Sequence, residues 1–131
     1  MVSNYYMDKP KKVIIIEDDE YISKIYEIKL TLAGIATKVV TSGDEALASI
    51  ITEKPDLIIL DLMLPKKNGF TVLEDIKKDP VLAKIPVIIL SNLGQKSDKE
   101  RALALGANEY LVKVDYPIRD VVGKVKEYFS A

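Results

Sequence analysis

Three short runs of consecutive apolar residues constrain the fold of this chain more than any other feature of its sequence. They occupy residues 13–16 (VIII), 57–60 (LIIL) and 87–90 (VIIL). Unbroken apolar runs, as opposed to alternating ones, are typical of parallel β-strands that are covered on both faces. Two weaker runs, residues 35–41 and 108–114, predict two further strands. The sequence therefore predicts a sheet of five strands.

Segments with helical spacing separate these runs. The predicted helices cover about residues 19–33, 43–53, 66–78 and 97–105, and a fifth begins at Pro117. The first helix is expected to bury one stripe and to end at Gly34, and the residues of that stripe are Ile22, Ile25, Ile28 and Leu32. Strict alternation of strands and helices predicts an α/β fold with right-handed crossovers and helices on both faces of the sheet.

Length and composition limit the classes of function. The 131 residues fit one domain, predicted over residues 11–131, with residues 1–10 as a loosely held arm. A net charge of −1 argues against a nucleic-acid surface, and we find neither a membrane span nor a secretory signal, so we expect a cytoplasmic protein. The chain has no cysteine and no histidine. Its chemistry must therefore use carboxylates, hydroxyls, amines and the backbone.

Polar residues collect where the predicted strands end. Glu17 and Asp18 follow the first strand, Asp61 follows the third, Ser91 follows the fourth, and Lys113 lies at the end of the fifth. Carboxylates crowded at the carboxyl edge of a parallel sheet repel one another unless a cation lies among them. Oxygen ligands alone suit a hard divalent ion such as Mg²⁺. A carboxylate beside Mg²⁺ and a lysine can attack phosphorus and form an aspartyl phosphate.

The spacing of these residues and the segments around them carry a family resemblance. The segments are "ILDLMLPKKNG", "ILSN" and "GANEYLVK". Residues 11–129 resemble the receiver domain of bacterial two-component response regulators, of the single-domain type found in chemotaxis regulators. The resemblance implies a flavodoxin-like, doubly wound (βα)5 fold with strand order 2-1-3-4-5. It also implies a phosphorelay signalling domain that assists its own phosphorylation and dephosphorylation, and not an enzyme.

The resemblance implies a role for each site residue. Asp61 would accept a phosphoryl group from a sensor histidine kinase, a phosphotransfer protein or a small phosphodonor. Asp18 would bind Mg²⁺ directly, Glu17 would act mainly through water, and the carbonyl of Met63 would be a backbone ligand. Ser91 and Lys113 would contact the phosphoryl group.

The resemblance also implies a switch. Ser91 and Tyr110 would change the face formed by the fourth helix, fifth strand and fifth helix. That face would bind a downstream protein or a second copy of the chain.

Two residues depart from the family pattern. Val114 stands where the family usually has a proline after the lysine, and a cis peptide before a residue other than proline costs about 2.5–4 kcal/mol. We therefore expect a trans bond between Lys113 and Val114, or a strained cis bond held by its surroundings. Asn92 is larger than the residue common at its place. Together with Met63 it could crowd the attacking water, which predicts a long-lived aspartyl phosphate.

Three other functions are alternatives to a phosphoacceptor domain. A phosphatase of the haloacid dehalogenase type would need a second aspartate two residues after Asp61, where Met63 stands. A flavodoxin-like flavin binder would need a hydroxyl-rich phosphate loop in place of the acidic residues 17–20 (EDDE). The closest alternative is a receiver-like dimerisation or docking module that works without phosphorylation. The sequence leaves open whether the protein acts alone, passes phosphate onward or is part of a longer regulator.

Overall fold

The strands form one parallel sheet in the order β2-β1-β3-β4-β5. The computed structural model describes residues 9–130. In chain order its strands are β1 (Lys12–Ile16), β2 (Ala36–Val40), β3 (Leu57–Leu60), β4 (Val87–Ser91) and β5 (Glu109–Val112). The helices are α1 (Glu20–Leu32), α2 (Gly43–Glu53), α3 (Gly69–Lys78), α4 (Lys96–Ala104) and α5 (Ile118–Ser130), with short 3₁₀ turns at Leu82–Lys84 and Lys113–Asp115. The predicted fold class and strand order are confirmed.

The predicted N-terminal arm falls largely on residues 1–8, which lie outside the described residues. Its last two residues, Lys9 and Pro10, are exposed and precede β1. The extent of the arm therefore stays a prediction.

The apolar runs are buried on both faces of the sheet, as their pattern predicts. Alternate residues of β1 and β3 point to opposite sides. Ile14, Ile16, Ile58 and Leu60 pack with α2 and α3 in one cluster, whereas Val13, Ile15, Leu57 and Ile59 pack with α1 and α5 in the other. None of these side chains is more than 2% exposed. The two-sided core makes the central strands a rigid base for the loops at their ends.

The register brings the carboxyl ends of the central strands together. Ile16 of β1 pairs with Leu60 of β3, and Leu60 in turn pairs with Ile89 of β4. The pairing continues one residue further, because the backbone N–H of Asp61 donates to the carbonyl of Ile16 at 2.9 Å. The residues that follow β1 and β3 are therefore neighbours across the edge of the sheet.

The third helix begins later than the sequence predicts. It starts at Gly69 and not near residue 66. Lys66 has a φ of +68°, in the left-handed region, so it cannot belong to a right-handed helix. Asn68 caps the helix instead, since its side chain accepts a hydrogen bond of 3.1 Å from the backbone N–H of Thr71. Residues 61–68 thus form a loop between β3 and α3.

The predicted inward stripe of the first helix is wrong at Ile28 and Leu32, whereas Ile22 is partly buried and packs against the core. The buried residues of α1 are Ser23, Tyr26 and Leu30, while Ile28 is 48% exposed and Leu32 is 77% exposed. The helix carries apolar residues on more than one face, so spacing alone could not select the face that meets the sheet. The tertiary structure selects the face with Tyr26 and Leu30. An outward apolar stripe remains, formed by the exposed Tyr21, Ile28 and Leu32 and the half-buried Ile25.

Candidate functional site

Three carboxylates meet at the carboxyl edge of the sheet. Glu17 directly follows β1, Asp61 directly follows β3, and Asp18 precedes the N-cap of α1. One carboxylate oxygen from each of the three residues lies within 4.8 Å of the other two. Glu17 and Asp61 are each only 4% exposed, whereas Asp18 is exposed. The sequence prediction that these acidic residues share one edge is thus matched by their positions.

Lys113 reaches the cluster from the end of the edge strand β5. It begins the 3₁₀ turn after β5, and its side chain is 12% exposed. Its Nζ donates to Oδ2 of Asp61 at 2.8 Å and also to Oε1 of Glu17. The peptide bond between Lys113 and Val114 is trans, since the described residues contain no cis peptide. The missing proline therefore does not prevent the lysine from reaching the carboxylates.

The site strongly perturbs the protonation of Glu17. Burial raises the pKa of Glu17 to about 7, the hydrogen bond from Lys113 opposes this rise, and the charge of Asp61 adds to it. For Lys113, burial acts to lower the pKa, but the hydrogen bonds to Asp61 and Glu17 outweigh burial, so the pKa is raised. Two buried carboxylates thus share a single cationic partner. A further cation would relieve the remaining repulsion.

Hydrogen bonds fix the orientation of the Asp61 carboxylate. Its Oδ1 accepts from the backbone N–H of Met63 at 3.0 Å, and its Oδ2 accepts from Lys113. The backbone of the same loop is held by α3, because the N–H of Gly69 donates to the carbonyl of Leu62 at 2.9 Å. Met63 lies in the loop directly after Asp61, with its side chain 55% exposed. A carboxylate held by two donors is presented in one defined direction.

Ser91 and Tyr110 are connected through the backbone of Leu93, a residue that the sequence analysis did not identify. Ser91 is fully buried at the end of β4, and its Oγ accepts from the N–H of Leu93 at 3.4 Å. The hydroxyl of Tyr110, a residue that is 8% exposed, donates to the carbonyl of the same Leu93. Sequence reasoning missed Leu93 because it takes part through its backbone, which leaves no residue-type signal.

Gly69 is a second residue whose importance sequence reasoning missed. A Cβ at this position would lie 2.4 Å from the carbonyl oxygen of Asp61 and 2.4 Å from Cα of Leu62. No other residue type lets α3 start so close to the backbone of Asp61. The glycine in "KKNGF" was available as a signal, since glycine often marks a close backbone approach.

The chemistry of the donor set fits a hard divalent cation. All the candidate ligands are oxygens, two of the three carboxylates are buried, and the third is exposed toward solvent. Mg²⁺ prefers such sites, with few carboxylates and several retained waters.

None of the helices among residues 9–130 is long and apolar enough to cross a membrane.

Comparisons with a family model, with curated proteins and with solved structures all indicate the same family. Residues 13–122 match the family described as the response regulator receiver domain. The chain is 38% identical over 115 residues to the DNA-binding dual master transcriptional regulator RpaA of Synechocystis. The aligned residues make up 88% of this chain and 47% of that relative. The chain therefore spans about half the length of this relative.

Solved structures show the same fold. The BeF3-activated receiver domain of RstA from Klebsiella pneumoniae is 28% identical, with a TM-score of 0.83 and coverage of 90% of this chain and 97% of that one. The Mn(2+)-bound form of response regulator Rcp1 is 31% identical, with a TM-score of 0.77 and coverage of 90% and 91%.

Proposed function

This chain belongs to the response regulator receiver domain family, and we propose that Asp61 is its phosphoacceptor. The observation that carries this proposal is the meeting of Glu17, Asp18 and Asp61 within 4.8 Å, with Lys113 bonded to two of them. An Asp61 carboxylate oxygen attacks phosphorus. The P–N bond of a phosphohistidine, or the P–O bond of acetyl phosphate, breaks, and the leaving group keeps the bonding electrons.

We propose Mg²⁺ as the cation of the site. Asp18 and Asp61 would bind it through carboxylate oxygens, Glu17 mainly through water, and Met63 through its backbone carbonyl. When bound, the ion neutralises charge on the phosphoryl oxygens as phosphorus is transferred. The Mn(2+)-bound form of Rcp1 shows that one similar protein holds a divalent metal.

The remaining site residues act on the phosphoryl group and on the loop beside it. Lys113 pairs with a phosphoryl oxygen while keeping its contact with Asp61, and the buried hydroxyl of Ser91 donates to another oxygen. Because Ser91 and Tyr110 both contact the backbone of Leu93, movement of Ser91 changes the partner of the Tyr110 hydroxyl. Such a shift would bias the face formed by α4, β5 and α5 between two states. The same groups would assist phosphorylation and dephosphorylation.

The phosphodonor we propose is a sensor histidine kinase or a phosphotransfer protein. The outward stripe of α1 supports a helical partner: Tyr21, Ile25, Ile28 and Leu32 are spaced by four, three and four residues, the repeat with which one helix packs along another. Tyr21 lies three residues after Asp18, so a partner bound to the stripe would end beside the acidic cluster. Output would pass to a downstream protein, or to a second copy, through the face of α4, β5 and α5.

The extent and context of the domain also remain proposals. We place the receiver at residues 11–131. A single-domain regulator of the chemotaxis type, a cytoplasmic location and the absence of direct nucleic-acid contact stay predictions. RpaA, a relative about twice as long, is described as DNA-binding.

Intact mass after incubation with acetyl phosphate tests the proposed function. With Mg²⁺ the wild-type chain should gain the mass of one phosphoryl group, and with EDTA it should gain none. Asp61→Asn should gain none under either condition, whereas Asp120→Asn, at an exposed position in α5, should behave as wild type.

The alternative of a docking module that works without phosphate makes the opposite prediction. The wild-type mass would stay unchanged with Mg²⁺, and self-association measured by size-exclusion chromatography would be the same with and without acetyl phosphate. That combination would replace the phosphoacceptor role with the docking role.

A further inference from the structure

The N-terminus of α2 packs directly against the loop that follows Asp61. Gly43 is the first residue of α2, and its N–H donates to the carbonyl of Pro65 at 3.2 Å. A Cβ placed on Gly43 would lie 1.7 Å from the carbonyl oxygen of Lys67 and 2.9 Å from its Cβ. Real Cβ atoms essentially never come within 3.0 Å of another heavy atom. Only glycine fits at this contact.

The atom that a Cβ would meet cannot rotate out of the way. It is a backbone oxygen, so either α2 or the loop must move. The helix is held by Ala46 and Ile50, both fully buried in the core. The loop is the weaker side, since Pro65 and Lys66 are exposed and Lys66 has a φ of +68°, a conformation that costs energy outside glycine. A side chain at position 43 would therefore displace the loop.

The same loop carries the proposed cation ligands. It starts at Asp61, includes Met63, and ends at the N-cap of α3. Its far end is fixed by Gly69 against the backbone of Asp61 and Leu62. A displacement in the middle of so short a segment must reach residues 61–63. The position of the N-terminus of α2, 18 residues before Asp61, is thus coupled to the geometry of the proposed cation ligands.

We propose that Gly43 is a positioning residue of the cation site: by having no side chain, it lets α2 hold the loop so that Asp61 and the carbonyl of Met63 share one ion. This inference rests on the proposed function, because it assumes that these residues bind the cation. Gly43 itself touches neither the ion nor the phosphoryl group. It acts through the backbone of Pro65 and Lys67.

The test compares Mg²⁺ binding with folding in the variant Gly43→Ala. Isothermal titration calorimetry should show Mg²⁺ affinity reduced by about tenfold or more, the usual loss when a group that orients a metal ligand is removed. The melting temperature in EDTA reports folding, and its increase on adding Mg²⁺ should shrink in the variant. Gly123→Ala is the matched control, since its Cβ would meet nothing within 4 Å in the middle of α5.

Two outcomes would overturn the role. Unchanged Mg²⁺ affinity in Gly43→Ala together with a lower melting temperature in EDTA would show that Gly43 matters for packing alone. If Gly43→Ala does not fold, Pro65→Gly loosens the same loop without adding volume, and unchanged affinity there would also reject the inference. A wild-type chain that binds no Mg²⁺ contradicts the proposed function itself, which separates the two failures.

Discussion

Lys113 donates a hydrogen bond of 2.8 Å from Nζ to Oδ2 of Asp61, although 52 positions of sequence separate the two residues. The same nitrogen also bonds Glu17, so one cation serves two buried carboxylates. The negative charge that Lys113 does not balance favours the binding of a divalent ion.

Removing the lysine should destabilise the chain when no metal is present. Lys113→Met leaves Glu17 and Asp61 buried without their cation, and the free energy of unfolding should fall by on the order of 3 kcal/mol near neutral pH. Urea unfolding in EDTA measures it, and Mg²⁺ should restore part of the loss. Lys24→Met, which removes an exposed pair with Glu27, should cost less than about 0.5 kcal/mol. Equal losses in the two variants would contradict a special role for Lys113.

Magnesium affinity should depend on pH through Glu17. Because the pKa of Glu17 is raised to about 7, this carboxyl binds a proton below that pH and is ionised above it. Protonation removes the negative charge that attracts the cation and its bound waters, so affinity should be full at about pH 8 and roughly tenfold lower at about pH 6. Calorimetric titration at the two pH values measures the change. Glu17→Gln should bind more weakly at both, with a much smaller difference; an unchanged pH dependence would assign the titration to another group.

The hydroxyl of Tyr110 should stabilise the loop after β4. Tyr110→Phe keeps the buried ring but removes the hydrogen bond to the carbonyl of Leu93. The free energy of unfolding should fall by about 1 kcal/mol. Hydrogen exchange of the backbone amides of residues 92–95 should become faster. Tyr128→Phe, whose hydroxyl bonds Glu109 instead, should leave exchange in this loop unchanged. Identical exchange in all three proteins would argue that the ring alone positions the loop.

The aspartyl phosphate should be hydrolysed faster when Asn92 is shortened. Asn92 is exposed directly after Ser91, and with Met63 it is predicted to crowd the path of the attacking water. Asn92→Ala should shorten the lifetime of the phosphorylated chain several-fold, followed by intact mass after removal of acetyl phosphate. Gln95→Ala, exposed in the same loop, is the control. A wild-type lifetime as short as that of Asn92→Ala would reject the prediction.

Two leucines of α1 should respond very differently to the same substitution. Leu30 is fully buried and Leu32 is 77% exposed. Leu30→Ala should lower the free energy of unfolding by about 3 kcal/mol, whereas Leu32→Ala should change it by less than about 0.5 kcal/mol. Chemical denaturation of both variants measures the difference. The reverse order would mean that α1 packs through the face predicted from its sequence.

The sequence predicted those features that depend on short-range pattern. The unbroken apolar runs at 57–60 and 87–90 fixed two-sided burial, because water must be excluded from both faces of such a strand. Helix ends followed from single residues as well: Gly34 and Gly106 have φ values of +82° and +107°, which glycine adopts without strain. The acidic residues at the strand ends predicted the composition of the site.

What the pattern could not determine was the choice between faces and the contacts made by backbone atoms. The apolar residues of α1 fit more than one inward stripe, and only packing against the sheet and α5 selected Tyr26 and Leu30. The start of α3 was misplaced because the conformation of Lys66 depends on how its loop packs. Leu93, Gly43 and Gly69 act through backbone or through the absence of a side chain, and residue type alone does not report either.

The sequence by itself thus determined the strands, their burial and the chemical groups of the site, because hydrophobic periodicity and residue type are local properties. Only the tertiary structure decided which helix face is left outside, how Lys113 reaches Asp61, and how closely α2 and α3 approach the loop between them. Those are distances between segments far apart in the chain, and they are set by close packing of the whole core.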